Sequence, residues 1–293
     1  MTSFYHTVTT IIKYTFFHFN VKFYFIFISI NLNDLADIQR DHSFVEWGVL
    51  FHSSVNSSYP DKTGTPRYAS VEMLESIRLF ERPLRLVAHL CAGRAHDLFN
   101  GNTTFVKHLS KCGFQRIQIN PTSVNDFHMN IDSKDDSKDE MKNDKNDMNG
   151  TLATQLKRQV PLLRRVMLET PEIEYIIQLN DETLPLWNEL SKDNPPSNMS
   201  CLYDSSLGRG HAISSFPSPP SIHESPKGCG YAGGINVTNI DDVLHSIKNV
   251  AGNAPVWIDM ESSLRKVLDN GQDIFDIDKC TECINIATRC MLD

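Results

Sequence analysis

The chain has 293 residues, a formal net charge of -8 and a pI near 5.7. That length suits one large or two small domains with ample core. The acidic balance, with no basic stripe, argues against nucleic acid and anionic membrane surfaces as partners. Seven scattered cysteines form no disulfide framework and point to a reducing compartment, which places the protein in the cytoplasm. Cys280-Thr-Glu-Cys283 has no second pair or histidine at zinc-ligand spacing, so no metal or cofactor is expected.

Residues 1–20 read as a poorly specified extension. The longest clean apolar run near them, Phe23–Ile30, is far shorter than the roughly 20 residues of a membrane span, so no membrane partner is expected. Val21–Ile30 reads as a first strand. A helix begins near Asn33 or Asp34 as cap, and Phe44–Phe51 is a second strand, followed by a polar loop. Ser70 caps a helix running to Phe80, Leu84–Leu90 is the third strand, Thr103–Lys111 a helix, and Phe114–Asn120 the fourth strand.

Residues 122–150 break this rhythm. Their mixed-charge, low-complexity run of Asp, Lys, Ser and Asn buries too little apolar surface to offset ordering, so they read as a disordered insertion. The alternation resumes with an amphipathic helix at Leu152–Leu168, carrying Pro161, and a fifth strand at Ile173–Leu179. A helix at Glu182–Leu190 and a sixth strand at Met199–Tyr203 come next. After a Ser/Pro/Gly loop, Gly230–Ala232 ends a seventh strand, with a helix at Val237–Asn249 capped by Asn236 or Thr238. Pro255–Met260 is the eighth strand and Asp278–Met291 a closing helix.

Eight strands alternating with helices over roughly 240 residues, once extension and insertion are set aside, match the roughly 250 of a (β/α)8 TIM barrel. The expected fold is therefore α/β, a single barrel domain over residues 21–293 with the insertion after strand four. An open doubly wound sheet would want its glycine turn after the first strand, whereas Gly233-Gly234 follows the seventh.

In such barrels function sits at the C-terminal strand ends, with phosphate held after strands seven and eight. Those ends supply His89 and Cys91, Gln118 and Asn120, Gln178 and Asn180, Asp204, Gly233 and Gly234, then Asp259, Glu261, Ser262 and Ser263. Paired glycines before a helix let an anion approach backbone N–H groups. Tyr231 and Trp47 read as core aromatics, and His89 as a packed or rim histidine.

Thr65-Pro-Arg-Tyr-Ala-Ser-Val-Glu72, Ile117-Gln-Ile-Asn120, Leu202-Tyr-Asp204 with Gly208-Arg-Gly210, Ala232-Gly-Gly-Ile-Asn236, Ile258–Ser263 and Asn270-Gly-Gln-Asp273 occur in that order. Together they resemble the motifs of phosphoribosylanthranilate isomerase, a ribulose-phosphate-binding barrel of tryptophan biosynthesis. The resemblance implies Amadori-type isomerisation of a phosphoribosylated substrate, with Asp204 as general acid and Arg67, Gln118 and Asn120 binding substrate. It further implies phosphate held by Gly208, Gly210, Gly233, Gly234, Ser262 and Ser263. The family's strand-one cysteine base has no counterpart in Phe27–Asn33, which leaves Asp34 or Glu46 as substitutes. The alternatives are a non-catalytic phosphosugar-binding or regulatory barrel, and a different phosphosugar lyase or epimerase. The partner expected in each case is a small-molecule phosphosugar; the oligomeric state is not specified.

Overall fold

In a computed structural model of the protein, the residues described are 20–25, 31–52, 68–123, 127, 152–204 and 215–292, with the main-chain path alone for 20–25, 152–154 and 291–292. Strands β1 (Asn20–Phe25), β2 (Glu46–Phe51), β3 (Leu86–Leu90), β4 (Phe114–Ile119), β5 (Glu174–Leu179), β6 (Met199–Tyr203), β7 (Cys229–Ala232) and β8 (Val256–Met260) pair in sequence order. Every pairing is parallel, and β1 also pairs with β8. Helices α1 (Leu32–Asp41), α2 (Val71–Leu79), α3 (Ala92–Phe99), α4 (Thr104–Lys111), α5 (Leu152–Arg158), α6 (Val160–Glu169), α7 (Leu184–Leu190), α8 (Ile240–Ala251) and α9 (Ile277–Leu292) occupy the connections. The fold is α/β and TIM-barrel-like. Strands buried on both faces explain their near-continuous apolar runs, such as Leu86-Val-Ala-His-Leu90.

In-register partners on parallel strands share a face, so the register fixes which side chains point inward, and strand tilt staggers them into layers. The middle layer holds Val87, Ile176, Leu202 and Trp257, packed as a cluster with Ala232 and separate from the main core. Gly48 is in register with Val87, and Gly230 with Leu202 and Trp257. A Cβ at Gly230 would meet the Trp257 indole, so the glycine makes the room that the ring fills. Below it, at the N-terminal strand ends, Arg116 reaches Glu46 at 3.2 Å and Glu174 at 2.9 Å, while the Ser200 hydroxyl donates to Glu174 at 2.6 Å. Above it lie the polar residues of the mouth. An apolar plug thus separates a charged floor from a polar mouth.

Several boundaries differ from the sequence expectation. Helix α1 is capped by Asn31, whose Oδ1 accepts from Asn33 N at 3.0 Å, and neither Asn33 nor Asp34 is the cap. Helix α3 was not expected; it is only eight residues long and begins at Ala92, whose φ is 41°. The 152–168 segment is two helices, broken at Gln159 with Pro161 in the first turn of α6. Pro161 lacks an N–H to join the preceding helix, and it suits a helix start. Helix α8 starts at Ile240, later than expected, because Asn236 folds its own turn by accepting from Thr238 N at 2.9 Å. Its buried face, Ile240, Val243, Leu244, Ile247 and Ala251, keeps the expected helical spacing.

The start of the supposed insertion belongs to the core. Thr122 and Phe127 are buried, and Phe127 packs edge-on against Phe99 at 5.3 Å. Residues 128–150 and 1–19 lie outside the described residues. All seven cysteines are free and six are buried. Cys280 and Cys283 sit one turn apart on the packed face of α9, where burial pushes both thiols up, so this C-x-x-C is packing. Trp47 and Tyr231 are likewise core aromatics. No helix among the described residues is long and apolar enough to cross a membrane.

Candidate functional site at the barrel mouth

Asp204 follows β6 and is buried, and Gln178, from the neighbouring β5, donates from Nε2 to its Oδ2 at 2.7 Å. Register explains the meeting. Gln178 pairs with Leu202, which faces inward, and two residues on Asp204 returns to the same face. The donated amide fixes the carboxyl against the barrel wall, and the other amide atom of Gln178, Oε1, has no hydrogen-bond partner among the described residues.

On the other side of the mouth, Gln118 donates to Asn120 Oδ1 at 3.2 Å, and Asn120 Nδ2 lies 2.9 Å from His89 Nε2 and 3.9 Å from Cys91 Sγ. The amide assignment that satisfies Gln118 makes Asn120 the donor, so His89 accepts at Nε2. All four are buried. The sequence-predicted Gln118 and Asn120 are therefore joined to His89 and Cys91 in one network, with two amides able to hold a polar ligand. Asn180 accepts at Oδ1 from the N–H groups of Glu182 and Thr183 at 3.0 and 3.2 Å, which turns it to the start of the next loop.

The predicted phosphate segments after β7 and β8 come together. Gly233 and Gly234 have φ of 115° and 61°, a backbone that L side chains rarely adopt. Asn236 and Asn239 each donate a side-chain N–H to the Gly234 carbonyl at 2.9 Å, which holds the turn. The Ser263 hydroxyl donates to the Ile235 carbonyl and ties the two segments, while Ser262 is exposed. The first turn of α8 carries Asp241 and Asp242, so an anion here would be held by the glycine turn and not by the helix end. Asp273 forms a fork with Arg265, both carboxyl oxygens at 2.8 Å, and closes a short antiparallel hairpin of β9 (Arg265–Val267) and β10 (Asp273–Phe275). That hairpin was not expected.

Arg67, Gly208 and Gly210 lie outside the described residues. Neither substitute has the setting of a base for Asp204. Asp34 is exposed in the first turn of α1, and Glu46 opens β2 on the charged floor, paired with Arg116. A glutamate at the N-terminal end of a strand cannot serve chemistry at the C-terminal end.

Sequence reasoning missed His52. It follows β2, is buried, and meets the Tyr68 ring at 4.8 Å. Alternation continues from inward Gly48 and Leu50 to His52, and β2 stands four strands from β6 in the closed order. The signal was present in the sequence: His52 is the residue just past the apolar run ending at Phe51, two on from Leu50.

No family model matches the chain, and no characterised protein matches it in sequence. Among solved structures it is similar to phospho-2-dehydro-3-deoxyheptonate aldolase (DAHP synthase) from Thermotoga maritima, with 11% identity and a TM-score of 0.48 over 92% of this chain and 68% of that one. A likeness of that strength bears on neither the site nor the activity.

Proposed function

We propose that the protein is a phosphosugar-binding (β/α)8 barrel that carries out Amadori-type isomerisation of a phosphoribosylated substrate, in the manner of phosphoribosylanthranilate isomerase. The observation that carries this reading is Asp204, buried in the mouth and held by Gln178 at 2.7 Å. The reaction needs a general acid at the ring oxygen and a general base at the sugar C2 proton. Asp204 is the acid in this proposal. His52, diametrically across a barrel whose interior is just wide enough for facing side chains to meet, is the base. Gln118 and Asn120, with Arg67, bind the substrate's non-phosphate end. Gly208 and Gly210, the Gly233-Gly234 turn and Ser262-Ser263 take the phosphate. The seven free thiols support a reducing, cytoplasmic setting.

The test is rescue of a tryptophan auxotroph lacking this isomerase. The wild-type chain restores growth and Asp204→Asn does not; no rescue despite soluble expression refutes the isomerase. Calorimetry with ribose 5-phosphate separates binding from turnover. Binding that Gly234→Asp abolishes supports the phosphate seat, and binding without rescue leaves a non-catalytic phosphosugar barrel or a different phosphosugar lyase or epimerase. No heat from ribose 5-phosphate refutes both.

A further inference from the structure

Away from the mouth, α8 and α9 bring three unlike donor side chains together. Asp241 and His245 stand one helical turn apart on the exposed side of α8, and Cys290 comes from the last turn of α9. Cys290 Sγ donates to Asp241 Oδ1 at 2.8 Å, and His245 Nδ1 is 3.6 Å from the same oxygen. One ligand atom from each residue lies within 4.8 Å of the other two, and this is the group of that kind found among the described residues.

We propose that Asp241, His245 and Cys290 form a surface site for a single divalent ion of the zinc class, with water completing the coordination. Tetrahedral zinc takes sulfur at about 2.3 Å and nitrogen or oxygen at about 2.0–2.2 Å, which sets its donor atoms about 3.3–3.8 Å apart. The 2.8 and 3.6 Å separations are within a few tenths of an ångström to 1 Å of that spacing, so side-chain rotation suffices. A mixed thiolate, imidazole and carboxylate set selects zinc and its neighbours over magnesium or calcium, which take oxygen. Exposure of Asp241 and His245 leaves an open path for the ion. Binding breaks the S–H bond of Cys290, forms a metal–sulfur bond and releases one proton to solvent, with no change of oxidation state. The ion would pin the last turn of α9 to the first turn of α8. Neither the reading of the barrel mouth nor its failure affects this site.

Cobalt(II) reports on it directly, because thiolate ligation gives a sulfur-to-metal charge-transfer band in the near ultraviolet. Titration of the full chain should produce that band, saturating at one equivalent and bleached by zinc. Cys290→Ser should abolish it, and His245→Ala should weaken affinity at least tenfold. Because six of the seven cysteines are buried and Cys290 is not, Cys290 is the thiol a disulfide reagent should reach first in the folded chain, and zinc should slow that reaction at least tenfold. Asp241→Asn, which keeps side-chain shape, should weaken both effects with the circular dichroism unchanged. Absence of the band, its persistence in Cys290→Ser, or binding that never saturates at one equivalent would overturn the site.

Discussion

Gly230→Ala tests whether the apolar plug is packed as tightly as its register implies. The added methyl would lie 2.2 Å from Trp257 Nε1, 2.5 Å from Cε2 and 2.6 Å from Leu202 Cδ1. Favourable contacts begin at about 3.5 Å, so the rigid indole must retreat by about 1 Å. It is buried within a close-packed barrel interior and has little room to do so. Overpacking costs about 1–3 kcal/mol, and a clash with a ring on one side and Leu202 on the other belongs near the top of that range, about 3 kcal/mol. In a domain of about 250 residues each kcal/mol lowers Tm by about 2–4 °C, which gives a fall of about 6–12 °C. Thermal unfolding followed by circular dichroism measures it. Trp257→Phe removes the nearest atom, so Gly230→Ala should be milder in that background, with a coupling of about 1 kcal/mol or more. An unchanged Tm, or losses that simply add, would refute the packing argument.

Two further outcomes follow from buried polar groups. Arg116→Met leaves Glu46 and Glu174 facing each other on the barrel floor without their cation; the side chains are only 11% and 12% exposed. Breaking such a network costs about 3–5 kcal/mol, so urea unfolding should show a clearly lower midpoint, partly restored by changing both glutamates to Gln as well. Burial raises the Cys283 thiol from about 9 to about 12. A raised thiol keeps its proton in the folded state while the unfolded chain ionises, so the stability it lends is complete below about pH 9 and is lost as pH climbs towards 12. Unfolding at several alkaline pH values should give a shallower decline for Cys283→Ala than for the wild type, and parallel declines would refute it.

What the sequence revealed and what it hid divide along one physical line. Period-two alternation and helical spacing are local, and they placed the strands within a few residues, down to the buried face of α8. The order of the glycine turn after the seventh strand located the mouth. Inward parity at the mouth was legible too, since Gln118, Gln178 and Asp204 end their strands. What failed was information carried by partners. Whether Asn31 or Asn33 caps α1 depends on which backbone turns first, and whether Asp273 serves a ligand or Arg265 depends on a hairpin closed eight residues away. Cys290 and Asp241 are separated by 49 positions, and no spacing rule joins them. Glu46 was misjudged even though the expected strand 44–51 already put it near the N-terminal end, away from the mouth.

The layering of the barrel also restricts where a base for Asp204 can come from. The apolar cluster of Val87, Ile176, Leu202 and Trp257 lies between the floor and the mouth, so the base in this proposal belongs to the C-terminal strand ends. The described residues at the C-terminal ends then offer His89 and His52 as imidazoles. His89 Nε2 accepts from Asn120, and its strand, β3, is not the one opposite β6. His52 follows β2, the strand opposite β6 in the closed order, and its ring also meets the Tyr68 ring. His52→Asn should abolish rescue of the auxotroph as completely as Asp204→Asn, while His89→Asn should lower stability through its buried partner and retain some growth. Full growth of His52→Asn would exclude it as the base, and a large loss of Tm would recast it as a packing residue against Tyr68.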